Sequence, residues 1–310
     1  MSGDSHTAIN VTIVHAPFGA GAGHPGSEAG PAGLARLDVS GRLRSAGCSI
    51  ADIKEADLPG PGRVMPTPEA ASYSFAVPAM KHAAEVFDAG RIIAPLVRRA
   101  ADAGTFPLTI GGDHSIAIGT VAGLAAEGRE MGVIWFDAHA DLNTEDSSLT
   151  GNMHGIPLAT ALGLTRLQAG AISAGAGEIS PMRTVLIGVR EIDPAEAETI
   201  RKLGIRCFGM SDIRRLGMKA VAEQALAIAG NGANAIHLSF DIDSIDPAEA
   251  PGTGTPVAGG VSSREAKEAL ALFGRSSKLA SADFVELNPR LDQQWRTAKL
   301  MAELIESLFK

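Results

Sequence analysis

Short apolar runs alternate with longer Ala-rich stretches along this chain. Several of the short runs are apolar on successive positions, as in Val133-Ile134-Trp135-Phe136 and Val185-Leu186-Ile187-Gly188-Val189. That pattern suits strands covered on both faces, since a half-exposed strand would alternate apolar with polar. Strands are predicted at Val11–Ala16, Ile50–Ile53, Phe106–Ile110, Val133–Phe136, Thr184–Val189, Ile205–Phe208, Ala235–Phe240 and Ala282–Leu287. Helical patterns lie between them at Ala79–Ala103, Ile116–Glu127, Pro194–Lys202, Lys219–Ala229 and Arg264–Phe273. Segments of that length between strands are crossover connections, so the expected class is α/β with a mostly parallel sheet. Two small-residue stretches, Gly19–Gly33 and Ala169–Gly177, read as loops, the second as a flexible surface loop. Nothing resembles an interdomain linker or an internal repeat, so one domain spanning residues 1–310 is expected.

Polar residues interrupt this pattern where strands end. Asp137-Ala138-His139-Ala140-Asp141 and Asp241-Ile242-Asp243 each place ligand-type side chains at i and i+2, directly after an apolar run. In extended chain those positions share a face. His114, within Gly111-Gly112-Asp113-His114-Ser115, and Glu286 also follow predicted strands. In open α/β sheets, ligands bind beyond the carboxyl ends of the strands, so all these residues belong at one edge. One Asp-x-His-x-Asp alone is equally well a turn. The second such segment and His114 shift the balance, because crowded carboxylates repel and raise one another's pKa unless cations hold them ionised. Asp and His without Cys favour Mn, Fe, Co or Zn over a structural zinc site, with manganese best where carboxylates outnumber imidazoles. Two metals about 3.5–4 Å apart generate a hydroxide nucleophile near neutral pH. No G-x-S-x-G elbow offers an alternative nucleophile.

The remaining histidines divide by context. His154, in the polar loop Thr150-Gly151-Asn152-Met153-His154-Gly155, suits a proton shuttle. His15 and His237 fall inside strand runs and read as satisfied core histidines, His82 as a helical residue without a partner motif, and His6 as part of a tail. His24 follows the first glycines, close enough to line a site without being assigned to it. The stretch Gly21-Ala22-Gly23-His24-Pro25-Gly26 matches GxGxxG after a strand. Pro25 interrupts the turn and no helix is expected at its last glycine, so a dinucleotide site is rejected.

Composition narrows the partners. The 310 residues are 45% hydrophobic and 20% charged, with a formal net charge of −8 and no long basic run. Binding nucleic acid by neutralising phosphates is therefore not expected, while a cationic substrate suits the charge. Cys48 and Cys207 form no CxxC and read as reduced, buried thiols. No stretch of 18 or more apolar residues and no signal-like N-terminus is present, so a soluble cytoplasmic protein away from membranes is expected.

Six segments together resemble the ureohydrolase family, the arginases most closely. They are Gly-Gly-Asp-His-Ser at 111–115, Asp-Ala-His-Ala-Asp-Leu-Asn at 137–143, Gly-Asn-Met-His-Gly-Ile-Pro at 151–157, Ser-Phe-Asp-Ile-Asp-Ser-Ile-Asp-Pro at 239–247, Gly-Thr-Pro-Val-Ala-Gly-Gly at 254–260 and Val-Glu-Leu-Asn-Pro at 285–289. They occur in the family's order and span most of the chain. The resemblance implies a three-layer α/β/α fold of the arginase/deacetylase kind, with an eight-stranded, mostly parallel sheet. It implies two Mn2+ per subunit, one held by His114, Asp137, Asp141 and Asp241, the other by His139, Asp137, Asp241 and Asp243. A bridging hydroxide steadied by Asp141 would attack the guanidinium carbon of L-arginine. Glu286 would pair with the guanidinium, His154 would transfer a proton, and urea and L-ornithine would leave.

By the same resemblance Asn143 and Thr150 contact the substrate carboxylate, Asp193 and Glu196 its amino group, and Thr255 lies near the guanidinium. Trimeric or hexameric assembly is the family expectation. The chain departs from the arginase pattern at Glu191, where an Asp is usual. Glu145 and Asp146 add negative charge to the loop that should receive a carboxylate. Other readings are an agmatinase, guanidinobutyrase or formimidoylglutamase on the same scaffold, and a non-catalytic metal- or ligand-binding protein that keeps the fold. The last predicts a missing ligand or proton shuttle, and none is missing.

Overall fold

A computed structural model describes residues 8–58, 80–125, 130–174 and 176–310. Its centre is an eight-stranded sheet in which every pairing is parallel. The strands are β1 (Asn10–Ala16), β2 (Ser49–Glu55), β3 (Phe106–Gly111), β4 (Met131–Phe136), β5 (Thr184–Ile187), β6 (Arg206–Phe208), β7 (Ala235–Asp241) and β8 (Leu279–Val285). All eight predicted runs are strands, with ends shifted by a few residues; β8 starts and stops earlier than its pattern suggested.

The spatial order is β2-β1-β3-β8-β7-β4-β5-β6. The four strands that carry the ligand-type residues at their ends, β3, β8, β7 and β4, are therefore consecutive neighbours. Both faces are covered. On one side Ile134, Phe136, Leu238, Phe240 and Phe284 pack with Leu270, Phe273 and Met301 from the helices Ser263–Gly274 and Arg296–Ser307. On the other, Val133, Trp135 and Val285 meet Val86, Phe87 and Ile93 from the helix Ala83–Asp102, with the helix Ala117–Leu124 beside it. Full burial of an aromatic such as Phe240 contributes roughly 1.5–3 kcal/mol, so these two apolar layers hold the sheet. The two helices on the second side approach so closely that a Cβ on Gly119 would lie 2.9 Å from the Gly90 backbone.

Several expectations need correction. The helix read from Ala79 begins at Ala83; Ala79 itself lies outside the described residues, as do Ala126 and Glu127 of the second helix and His6 of the tail. Gly19–Gly33 is not all loop. A 3-10 turn at Ser27–Ala29 follows Gly26 at once and leads into the helix Gly30–Arg36, with Pro31 in the first helical turn, where its missing N–H costs nothing. Ala169–Gly177 opens with a helical turn, Ala169–Ile172, whose Ala169 and Ile172 are buried. His82 precedes the helix Ala83–Asp102 rather than lying within it, in left-handed backbone at φ 54°, and its Nδ1 lies 3.1 Å from Glu85. Among the described residues no helix is long and apolar enough to cross a membrane.

Candidate metal centre

The turn after β3 is built from its glycines. A Cβ on Gly112 would sit 1.6 Å from the Phe18 carbonyl oxygen, so only glycine lets the chain pass. Asp113 then caps the following turn, accepting the Ser115 amide at 2.9 Å and its hydroxyl, and its other oxygen accepts the Gly21 and Ala22 amides at 2.7 and 3.2 Å. Two amides of the GxGxxG stretch are thus spent on a carboxylate of the chain itself. The dinucleotide reading stays rejected, although a helical turn does start at its last glycine.

These turns bring the ligand-type side chains together. The Nδ1 of His114 lies 3.0 Å from Asp137, 3.1 Å from Asp141 and 3.1 Å from Asp241, facing Oδ2 in each case. The Nδ1 of His139 lies 3.1 Å from Asp243 Oδ2 and 3.5 Å from Asp137 Oδ1. His114, Asp137 and Asp241 form one group able to hold a metal, and Asp137, His139 and Asp243 a second. Asp137 belongs to both and turns one oxygen to each histidine. Asp241 stands in the first group only, and its Oδ1 accepts the Asp243 amide at 2.7 Å.

The donor set fits cations. His114 Nδ1 and Asp141 Oδ2 are fully buried without a hydrogen-bond partner, and both point into the first group. Burial, then the neighbouring carboxylates, push Asp241 and Asp243 above the usual carboxylate range; burial, then Asp137, does the same to Asp141. Burial also opposes the charge on Asp137, but His114 and His139 hold it well below that range. Three carboxyls forced upward beside one forced down is the imbalance that positive charge relieves. Asp141, at φ 52°, and Glu286, at φ 63°, both adopt left-handed backbone that side chains other than glycine avoid. Strain at two site residues marks geometry fixed by the surroundings.

A cleft of about 320 Å³ opens over the groups and is lined by His114, His139, Asp141, Asn143, Thr150 and His154 among others. Glu191, Asp193, Glu196 and Thr255 line it too. Asn143 donates to Asp193 at 2.9 Å and accepts from the Ser147 hydroxyl. Glu196 is buried, and its two oxygens accept the Leu142 and Asp193 amides, tying the metal loop to the helix Pro194–Leu203. Thr255 donates to Asp243 Oδ2 at 3.0 Å. Glu286 accepts both the His114 amide and the His154 ring, so His154 and the strand-end carboxylate act as a pair. Glu191 is mostly exposed, 3.6 Å from His139 Nε2. The extra acids of the loop after β4 are already answered: Glu145 accepts the Arg166 amide at 3.0 Å, and Asp146 pairs with the Arg166 guanidinium at 2.6 Å. His24 is exposed near Gly254 and is not among the residues lining the cleft.

Four contributors escape the reading of the sequence. Trp135 stacks on His114, ring centroids 4.2 Å apart, and donates to Asp137 Oδ2. Arg190 fans its guanidinium over the carbonyls of Gly188, Asp243, Ser244 and Val257, holding the turn that carries Asp243. Leu149 and Ile192 form an exposed apolar rim of the cleft, 82% and 40% accessible. None has a motif of its own; a lone Arg after a strand gives no warning that carbonyls surround it.

A doubly covered parallel sheet with paired His/Asp groups at its carboxyl edge has the build of a metal-dependent hydrolase. The model of the arginase family matches residues 9–310. An arginase of Brevibacillus brevis is 38% identical over 300 residues, covering 97% of each chain. The solved arginase of Bacillus caldovelox superposes with a TM-score of 0.88 at 37% identity, covering 97% of this chain and 98% of that one. The arginase of Entamoeba histolytica in complex with L-ornithine gives 0.85 at 32% identity, covering 98% and 99%. The chain belongs to the arginase family and is a ureohydrolase.

Proposed function

We propose that this enzyme hydrolyses the guanidinium of L-arginine to urea and L-ornithine with two Mn2+ per subunit. The observation that carries the reading is Asp137, which turns one oxygen to each histidine-centred group. His114, Asp137, Asp141 and Asp241 would hold one cation, and His139, Asp137, Asp241 and Asp243 the other. Bound there, the pair acidifies water towards neutrality and so furnishes the nucleophile. Asp141, whose Oδ2 has no donor from the protein, accepts a proton of the attacking water and orients it. Glu286 receives the guanidinium charge. Burial favours a neutral His154, but in the metal-free chain Glu286 outweighs it and raises the ring to about 9, the direction that suits a proton donor to the departing amine. Asn143 and Thr150 take the substrate carboxylate, and Asp193, braced by Glu196, takes its ammonium group.

The test is urea release from L-arginine, agmatine and guanidinobutyrate in parallel, with Mn2+ supplied. Arginine should be the best substrate. Urea from agmatine but not from arginine sinks this reading, and none from all three, with metal bound, removes guanidine hydrolysis altogether.

A further inference from the structure

Beneath His114 a row of polar side chains crosses the sheet where apolar ones would pack better. Register places Ser239 of β7 opposite Asp283 of β8 and His237 opposite Ser281. All four are buried, His237, Ser239 and Asp283 completely. Their strands' alternate residues, Leu238, Phe240, Ala282 and Phe284, belong to the apolar core of the other face. Burying a carboxyl and an imidazole this deeply costs free energy that only full pairing offsets, and an apolar replacement of such groups is often as stable or more so.

The pairing is complete and converges on Asp283. As a carboxylate, Asp283 only accepts. Its Oδ1 takes the Ser239 hydroxyl at 2.6 Å, and its Oδ2 takes the His237 Nε2–H at 3.1 Å. The His237 Nδ1 lies 3.0 Å from the Ser281 hydroxyl. Ser239 has spent its one hydrogen on Asp283, so towards His114 Nε2, 2.9 Å away, it can only accept. The Nε2 of His114 therefore carries a hydrogen, and with a cation in the first group Nδ1 is the atom left to offer its lone pair, on the side facing Asp137, Asp141 and Asp241. Trp135, opposite Ser239 on β4, closes the ring's other side by stacking.

We infer that Ser239 and Asp283, backed by His237, are positioning residues that lock His114 in the tautomer and orientation able to ligate through Nδ1. They thereby set the metal affinity of that half of the centre. A hydrogen-bonded support of a ligating imidazole of this kind is worth about 10–100-fold in affinity. Among the described residues His139 has no buried support of this kind; its Nε2 lies 3.6 Å from Glu191, which is mostly exposed. The inference rests on the two-cation reading above.

The test measures Mn2+ bound per chain, and its affinity, by equilibrium dialysis and electron paramagnetic resonance on the intact protein and on Ser239→Ala. The parent should bind two ions with a coupled spectrum. The variant should retain one at the parental affinity, lose the other by about 10–100-fold, and show the six-line signal of an isolated ion. Ser239→Thr, which keeps the hydroxyl, should restore two. Two ions at unchanged affinity in a folded Ser239→Ala overturns the inference and leaves the two-cation reading standing; a parent that cannot bind two ions fails that reading itself. A second measurement needs no variant. Nitrogen-15 resonances of His237 should show Nε2 protonated, and a ring lacking that proton breaks the chain at Asp283.

Discussion

The Nδ1 of His154 stands 3.0 Å from Glu286 Oε1, the same oxygen that accepts the His114 amide at 2.9 Å. One carboxylate thus joins the loop after β4 to the turn after β3. Burial opposes the charge on each partner, yet the pair wins: His154 is raised from 6.5 to about 9, and Glu286 lies below 4.5. A raised imidazole contributes stability that is full below its unfolded value and is lost as pH rises through the folded one. In EDTA-dialysed protein, the stability of the parent relative to His154→Asn should therefore fall between about pH 6.5 and 9. The loss should be on the order of 2–3 kcal/mol, read from urea unfolding at several pH values. A difference that stays flat across that interval would mean the pair carries no net charge interaction.

Asp137 is the shared member of the two His/Asp groups, while Asp243 belongs to one. Asp137→Asn should therefore lower the binding of both ions, and Asp243→Ala that of one. Metal content after gel filtration checks this directly. Urea production should drop about 100-fold or more in Asp137→Asn, since removing a ligand should cost at least as much as removing a ligand's support. Equal metal loss in the two variants would contradict the shared role.

Arg190 donates to carbonyls on both sides of the turn carrying Asp243, with no carboxylate needed. Its planar fork matches several acceptors at once, which a lysine ammonium cannot do. Arg190→Lys leaves at least two carbonyls without their donors and should cost about 2–4 kcal/mol. In a chain of this size that lowers the melting temperature by several degrees in calorimetry. A melting temperature equal to the parent's would show that the clasp is dispensable.

Most strands, β2 as a mostly exposed edge strand excepted, were legible because they are short, largely apolar runs covered on both faces, and the candidate ligands because they interrupt that pattern at its ends. The order β3-β8-β7-β4 was not, because a crossover of a given length reaches either side of the sheet and long-range packing decides. The helix Gly30–Arg36 hid behind Gly30, Pro31 and Gly33, residues that oppose a helix interior but are tolerated in its first turn. His237, Ser239, Ser281 and Asp283 did leave a trace: polar residues at alternate positions of otherwise apolar strands. Their significance needed the β7–β8 register, which no local pattern contains. Glu145 and Asp146 misled in the opposite direction, since their partner Arg166 lies about twenty residues onward.

That last pairing makes substrate choice testable. With Arg166 present, Asp146 presents an ion pair to the loop that carries Asn143 and Thr150. Arg166→Ala exposes the Asp146 charge while the residue 166 amide still holds Glu145. A nearby negative charge disfavours a substrate carboxylate and leaves a substrate without one unaffected or slightly favoured. The pair is exposed, so the effect is small: a surface ion pair is worth about 0.2–1 kcal/mol, or up to roughly fivefold in affinity. The KM for L-arginine should rise by about two- to fivefold at low ionic strength and recover in high salt, with kcat unchanged. The KM for agmatine should hold or fall. Parallel rises for both substrates would show that Arg166 shapes the loop rather than screening its charge.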